Sequence, residues 1–165
     1  CLLVTGTLLS IGHHLKMNNA DLQRLAVGGL LHDLGKADIP TEVLDKPSAL
    51  TAEEQAIMRQ HPVTGVERLA MIRNAPPELV AFVRDHHEYL DGSGYPNGLT
   101  AERISDPVRL LTIVDIFSAL IEFRTYKPPM PANDAIRVLE NMSGRLDMAI
   151  LATVKPVLTK VRAHS

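Results

Sequence analysis

The sequence predicts an all-α bundle of about seven helices. Three observations carry this. Apolar residues make up 45% of the chain, but aromatics only 4%, and there is no Trp. A core built from Leu, Val, Ile, Ala and Met suits packed helices better than a β-sandwich, which draws on β-branched and aromatic residues. Apolar positions recur at helical spacing between clear start and stop signals, and no alternating run of useful length appears.

The elements follow in order. Leu2 to about Leu15 continues an apolar helical pattern. Asn18, Asn19 and Asp21 are capping residues for an apolar-periodic run over Leu22 to Leu34, with Gly35 as its terminator and Pro40 confirming the break. Residues 38 to 50, with Pro40 and Pro47, read as a loop. Thr51-x-x-Glu54 is a capping box that opens the next helix. Pro62 starts a helix to Met71, and Pro76-Pro77 starts another that runs to His87. Asp91 to Thr100, with Gly92, Gly94, Gly98 and Pro96, is an ordered loop. Ile104 to Phe123 is a long helix. Ala132 to Met142 and Leu146 to Val161 are the last two, with Pro156 inside the final one.

The bulk properties exclude several classes. A chain of 165 residues fits one domain with a core of its own. The net charge of -2 offers no general attraction to a nucleic-acid polymer, so an anionic substrate needs local cations. No apolar run approaches a membrane span, and CLLVTG lacks the basic start of a signal peptide. A single cysteine, Cys1, rules out an internal disulfide and suits a reducing compartment, so a cytoplasmic setting is expected. The chain has no initial Met and opens inside a helical pattern. It reads as one domain, residues 1–165, cut from a longer protein.

Four segments carry chemistry: HDLGKADIP, HPVTG, HHEYLDGSGYP and LLTIVDIFSAL. They place His32, Asp33, His61, His86, His87 and Asp115 in one chain, with Lys36 and the loop Gly94-Tyr95-Pro96 close by. Imidazole and carboxylate together suit iron, manganese or zinc, and a cluster of this size implies more than one ion. Neighbours on a helix diverge by about 100°. Asp33 can therefore bridge two ions while His32 holds one, and His86 and His87 can serve different ions. Lys36 is expected on the face of His32, one turn on. Asp115 lies mid-helix in an apolar run, where a carboxylate is costly unless paired or metal-bound. Each group alone has a plainer reading: His61 as a cap before Pro62, the His86-His87 pair as solvated, Asp115 as partner of a buried hydroxyl. Lys36, Arg124 and Lys127 supply local cations for phosphate. Gly94 permits close backbone approach, and Tyr95 offers a ring for a base and a hydroxyl for phosphate. His13, His14 and His164 are expected to face solvent.

From about Val4 to Leu158 this set resembles the HD-GYP family, a branch of the HD superfamily of metal-dependent phosphohydrolases. KPSALTAEE, the R-x-Y-K of Arg124 to Lys127 and GRLD extend the likeness. The resemblance implies a helical domain with a central metal site. It also implies hydrolysis of cyclic di-GMP to pGpG or GMP in bacterial signalling, with Asp33 and Lys36 in catalysis and Gly94, Tyr95, Pro96, Arg124 and Lys127 on substrate. The ligand positions map onto His32, Asp33, His61, His86, His87 and Asp115, around two divalent ions, iron or manganese. Such domains usually follow a sensor or receiver domain, and a homodimer or a signalling-domain partner is expected. Two features depart from the family pattern. A further histidine of the family's first helix falls at or just before Cys1, and Ser118 stands where many members are acidic. The rival readings are a non-cleaving module that binds nucleotide or a diguanylate cyclase domain, and a hydrolase of another nucleotide.

Overall fold

The helices begin where capping chemistry sets them. In this computed structural model, which describes residues 1–122 and 129–161, the Asn18 side chain accepts the Asp21 N–H and starts α2 (Asn19–Leu31), after α1 (Leu2–His14). Thr51 and Glu54 form the expected capping box at the head of α4 (Ala52–Met58), closing N–H···O bonds of 3.3 and 2.7 Å. Prolines stand in the first turns of α5 (His61–Ala70), α6 (Pro77–Asp85) and α7 (Asp106–Ile121), where a missing N–H costs nothing. After α8 (Ala132–Glu140), the Asp147 carboxylate accepts the N–H groups of Ala149 and Ile150 to cap α9 (Met148–Leu158).

The core is organised around α7. Leu111, Ile113, Val114 and Phe117 are fully enclosed, and α1, α6, α8 and α9 all pack against this helix. Val4, Leu8 and Ile11 meet it from α1, and Leu139, Leu151 and Leu158 from the last two helices. Burying a side chain such as Phe117 contributes roughly 1.5–3 kcal/mol, so α7 is the fixed axis on which Asp115 rides. Arg109 ties its first turns to their surroundings, donating to the carbonyls of Ala101 and Ile104 and pairing with Asp147 at 2.9 Å.

Several boundaries differ from the sequence reading. Nine α-helices are present among the described residues. The one without a counterpart in the sequence reading is α3 (Thr41–Leu44), lying inside what reads as loop, while α4 follows its capping box as expected and runs for seven residues. The helix expected to reach Leu34 ends at Leu31, and the chain tightens into a 3-10 turn over Leu34–Asp38. Gly35 is therefore no helix terminator. A Cβ there would lie 1.9 Å from the His61 carbonyl oxygen and 2.5 Å from the Gly65 nitrogen, so glycine lets this turn press against the backbone of α5. The tightened turn also moves Lys36 off the face of His32 and onto Asp33. His13 and His14 are exposed, as expected. Arg124, Lys127 and His164 lie outside the described residues. No helix among the described residues is long and apolar enough to cross a membrane.

Candidate metal centre

The helix ends gather the predicted ligands. His32 is the C-cap residue of α2, His61 the first residue of α5, and His86 the C-cap residue of α6. All three are buried to within 1%. Each turns its Nδ1 to a main-chain carbonyl: His32 to Gly29 at 2.8 Å, His61 to Met58 at 2.8 Å, His86 to Val83 at 3.0 Å. A carbonyl can only accept, so each Nδ1 carries a proton, and the rings of His61 and His86, which burial keeps neutral, present bare Nε2 lone pairs. Those lone pairs converge. The Nε2 atoms of His61 and His86 are 3.2 Å apart, and His32 Nε2 is buried with no hydrogen-bond partner. Facing lone pairs repel unless a cation lies between them, which is the arrangement of a metal site with oriented imidazoles.

Asp33 stands between two groups of ligands. Its Oδ2 is 3.3 Å from His32 Nε2 and 2.8 Å from Lys36 Nζ. Its Oδ1 is 3.5 Å from His61 Nε2 and 3.9 Å from His86 Nε2. Asp115 joins the first group, with Oδ1 at 3.6 Å from His32 Nε2. His87 joins the second. Its ring centroid is 4.1 Å from that of His86 and 5.0 Å from that of His61, and the three offer ligand atoms within 4.8 Å of one another. The six predicted ligands thus meet in one place and fit a divalent metal. The start of α1 faces the same cluster, with Cys1 Sγ 3.9 Å from Asp33 Oδ2.

Charge is distributed unevenly. Burial disfavours the imidazolium of His32, but Asp115 and Asp33 outweigh it and raise its pKa to about 9. Burial likewise opposes ionisation of Asp33 and Asp115, yet His32 beside them, helped at Asp33 by Lys36, holds both carboxyls below their usual range. On the other side burial keeps His61 and His86 neutral. It also brings His87 down to about 3, reinforced by His61.

The glycine-rich loop lies on the histidine segment. Tyr95 donates its N–H to the His87 carbonyl at 3.1 Å. A Cβ on Gly94 would come within 2.4 Å of the Tyr89 nitrogen and 2.5 Å of Glu88 Cα, so Gly94 serves close packing of the loop on its own chain. The Tyr95–Pro96 peptide is cis. The buried Glu88 carboxylate accepts the N–H groups of Asn97 and Leu99 at 2.6 and 2.9 Å. The Tyr95 ring stacks on His87, with centroids 4.7 Å apart, and Arg59 lies over it at 5.1 Å. Glu88 and Arg59 were not singled out by sequence reasoning. The adjacency of Glu88 to the His86-His87 pair is the one signal that could have found it.

An open cleft of about 960 Å³ leads to the cluster. His61, His87 and Asp115 lie in its wall, Lys36 and Tyr95 border it, and Leu44, Leu50, Met58, Ile116 and Leu120 give it an apolar side. Lys46, also in the wall, is held by Glu54. Ser118, one turn past Asp115, is buried with an unpaired hydroxyl.

A family model described as HD domain matches residues 2–150. The chain is 34% identical over 155 residues to the cyclic di-GMP phosphodiesterase PA4108 of Pseudomonas aeruginosa, covering 93% of this chain and 37% of that protein. It is 34% identical over 139 residues to the 3'3'-cGAMP-specific phosphodiesterase 1 of Vibrio cholerae, covering 82% of this chain and 32% of that one. The chain therefore spans about a third of the length of these curated relatives. Among solved structures, Bd1817, an HDG"Y"P protein from Bdellovibrio bacteriovorus, superposes with a TM-score of 0.76 at 20% identity, over 94% of this chain and 50% of that one.

Proposed function

The chain belongs to the HD domain family, and on that premise we propose that it hydrolyses the phosphodiester bonds of a cyclic dinucleotide, cyclic di-GMP, to pGpG and GMP with two divalent ions, iron or manganese. The observation that carries this reading is the division of ligands about Asp33. One oxygen faces His32, the other faces His61 and His86, as a carboxylate shared by two ions would. Bound divalent ions would polarise a phosphoryl oxygen and make water a nucleophile at neutral pH.

The chain's own residues supply the rest. Asp33 sets the shared position, and the buried rings of His32, His61 and His86 keep it in place through their carbonyl anchors. Lys36 gives one of its three ammonium hydrogens to Asp33 and borders the cleft with the others. There they neutralise a phosphate oxygen as water adds to phosphorus. The P–O3′ bond breaks as the bond from water oxygen to phosphorus forms, and the proton that the water gives up ends on the leaving 3′ oxygen. The volume of the cleft is at the upper end of ligand pockets, which suits a substrate with two bases. Its apolar side would receive a purine, and Arg124 and Lys127 would add cations for the phosphates. A relative named for 3'3'-cGAMP makes the mixed dinucleotide the rival substrate.

The test is single-turnover hydrolysis of cyclic di-GMP and of 3'3'-cGAMP by manganese- or iron-loaded protein, beside Asp33→Ala. Cleavage of cyclic di-GMP that Asp33→Ala abolishes is the expected result. Preference for 3'3'-cGAMP reassigns the substrate within the class. Tight nucleotide binding by fully loaded protein without any cleavage would replace the enzyme by a binding module.

A further inference from the structure

Three of the four histidines at the centre have their rings held from behind by a main-chain carbonyl. His87 has no such bond among the described residues. Ligating imidazoles almost always have an orienting partner on their far nitrogen, so something else must fix the His87 ring. The Tyr95 ring lies against it face to face, with centroids 4.7 Å apart and planes 23° from parallel. Arg59, its guanidinium carbon 5.1 Å from the Tyr95 centroid, also lies over this ring, whose quadrupole favours a cation. Arg59 makes no ion pair with a carboxylate among the described residues and is exposed.

The stack has a fixed seat. The loop is joined to the histidine segment through the Tyr95 N–H on the His87 carbonyl, through Glu88 holding Asn97 and Leu99, and through Gly94 against the Glu88–Tyr89 backbone. None of these contacts uses the Tyr95 hydroxyl.

We infer that Tyr95 is the positioning residue of His87: its ring face, steadied by the Arg59 guanidinium, sets the angle at which that imidazole meets the metal. The inference rests on the metal reading above. It assigns the ring a different role from stacking on a base, since the ring already lies against His87.

The test uses the whole chain with cobalt(II) as the probe, and reads both cobalt affinity and histidine-ring NMR in the metal-free protein. Tyr95→Phe keeps the ring and is expected to bind cobalt as the parent does. Tyr95→Leu removes the ring and should weaken one bound cobalt roughly 10- to 100-fold, the range for loss of an orienting partner. The ring protons of His87 should move downfield as the aromatic ring current disappears, with those of His32 unmoved. Arg59→Ala should give the same pattern at smaller size. Equal cobalt affinity in Tyr95→Leu and the parent would overturn the inference, as would equal impairment of Tyr95→Phe and Tyr95→Leu. If Tyr95→Leu does not fold, Arg59→Ala decides, because its side chain is on the surface. Unchanged cobalt affinity and unchanged His87 resonances would then overturn it. A parent that binds no cobalt defeats the metal reading instead, and the His87 resonances still show whether the stack orients the ring.

Discussion

On the Oδ2 side of Asp33 stand His32, Asp115 and Lys36. On the Oδ1 side stand His61, His86 and His87. The first side is ionic. Two carboxylates hold a proton on His32 up to about pH 9. The second is made of neutral rings, which burial keeps uncharged. A cation entering the first side must displace a proton, whereas one entering the second meets lone pairs already turned inward. One cluster thus offers two kinds of seat, and a single carboxylate is common to both.

The largest effect should come from breaking that shared element. Asp33→Ala is expected to lose metal from both sides and to lower turnover by about three or more orders of magnitude. Metal analysis of the purified variant checks this, and retention of half the parent's content would remove the bridging role. Next come variants that affect one side only. Asp115→Ala and His86→Ala should each weaken one ion by about a hundredfold or more and leave the other. Stepwise metal titration followed by calorimetry separates these outcomes, and parallel loss of both ions in either variant would contradict the division.

The third prediction concerns pH. Below its pKa of about 9, His32 is protonated in the metal-free protein. Affinity on its side should therefore rise about tenfold per unit as pH increases toward 9, with one proton released per ion. The imidazole side should be flat over the same range, His87 being neutral above about pH 3. Calorimetry in buffers of different ionisation enthalpy counts the proton. The sign for stability is opposite. Because the folded pKa of His32 lies above its unfolded value, its contribution to the metal-free fold is complete below about pH 6.5. It is lost as pH rises through about 9, and melts of chelated protein should fall across that window. The smallest effect belongs to a control remote from both sides. Thr51→Ala breaks the capping box at α4 and should cost about 1 kcal/mol, a drop in Tm of about 2–4 °C, with metal binding on both sides unchanged.

Local chemistry was legible in the sequence wherever the responsible groups are neighbours in the chain. Thr51 and Glu54 form their box, and Pro62, Pro77 and Pro107 sit in first turns. The convergence of the four His/Asp-bearing segments was legible too, because such groups in one small helical chain have few other uses. What the sequence hid is set by contacts between distant residues. Gly35 looks like a helix terminator, but its reason is the His61 carbonyl, which no local pattern reveals. Lys36 sits by Asp33, and not beside His32, because the chain tightens into a 3-10 turn after Leu31. The occupation of Tyr95 by His87 and Arg59 joins residues 36 positions apart, from 59 to 95.

The contact at Gly35 has an evolutionary consequence. Where this turn meets α5, backbone lies on backbone, with glycine on both sides at Gly35 and Gly65. The distance from the His32-Asp33 pair to His61 is therefore written in main-chain geometry, not in the size of any side chain. Substitutions along the cleft wall from Val43 to Leu50 can accumulate without stretching the metal cluster. On the proposed function, such a layout would separate what is cut from how it is cut. A lineage could then exchange one base for another by drift in the wall while the same ligand cluster is kept.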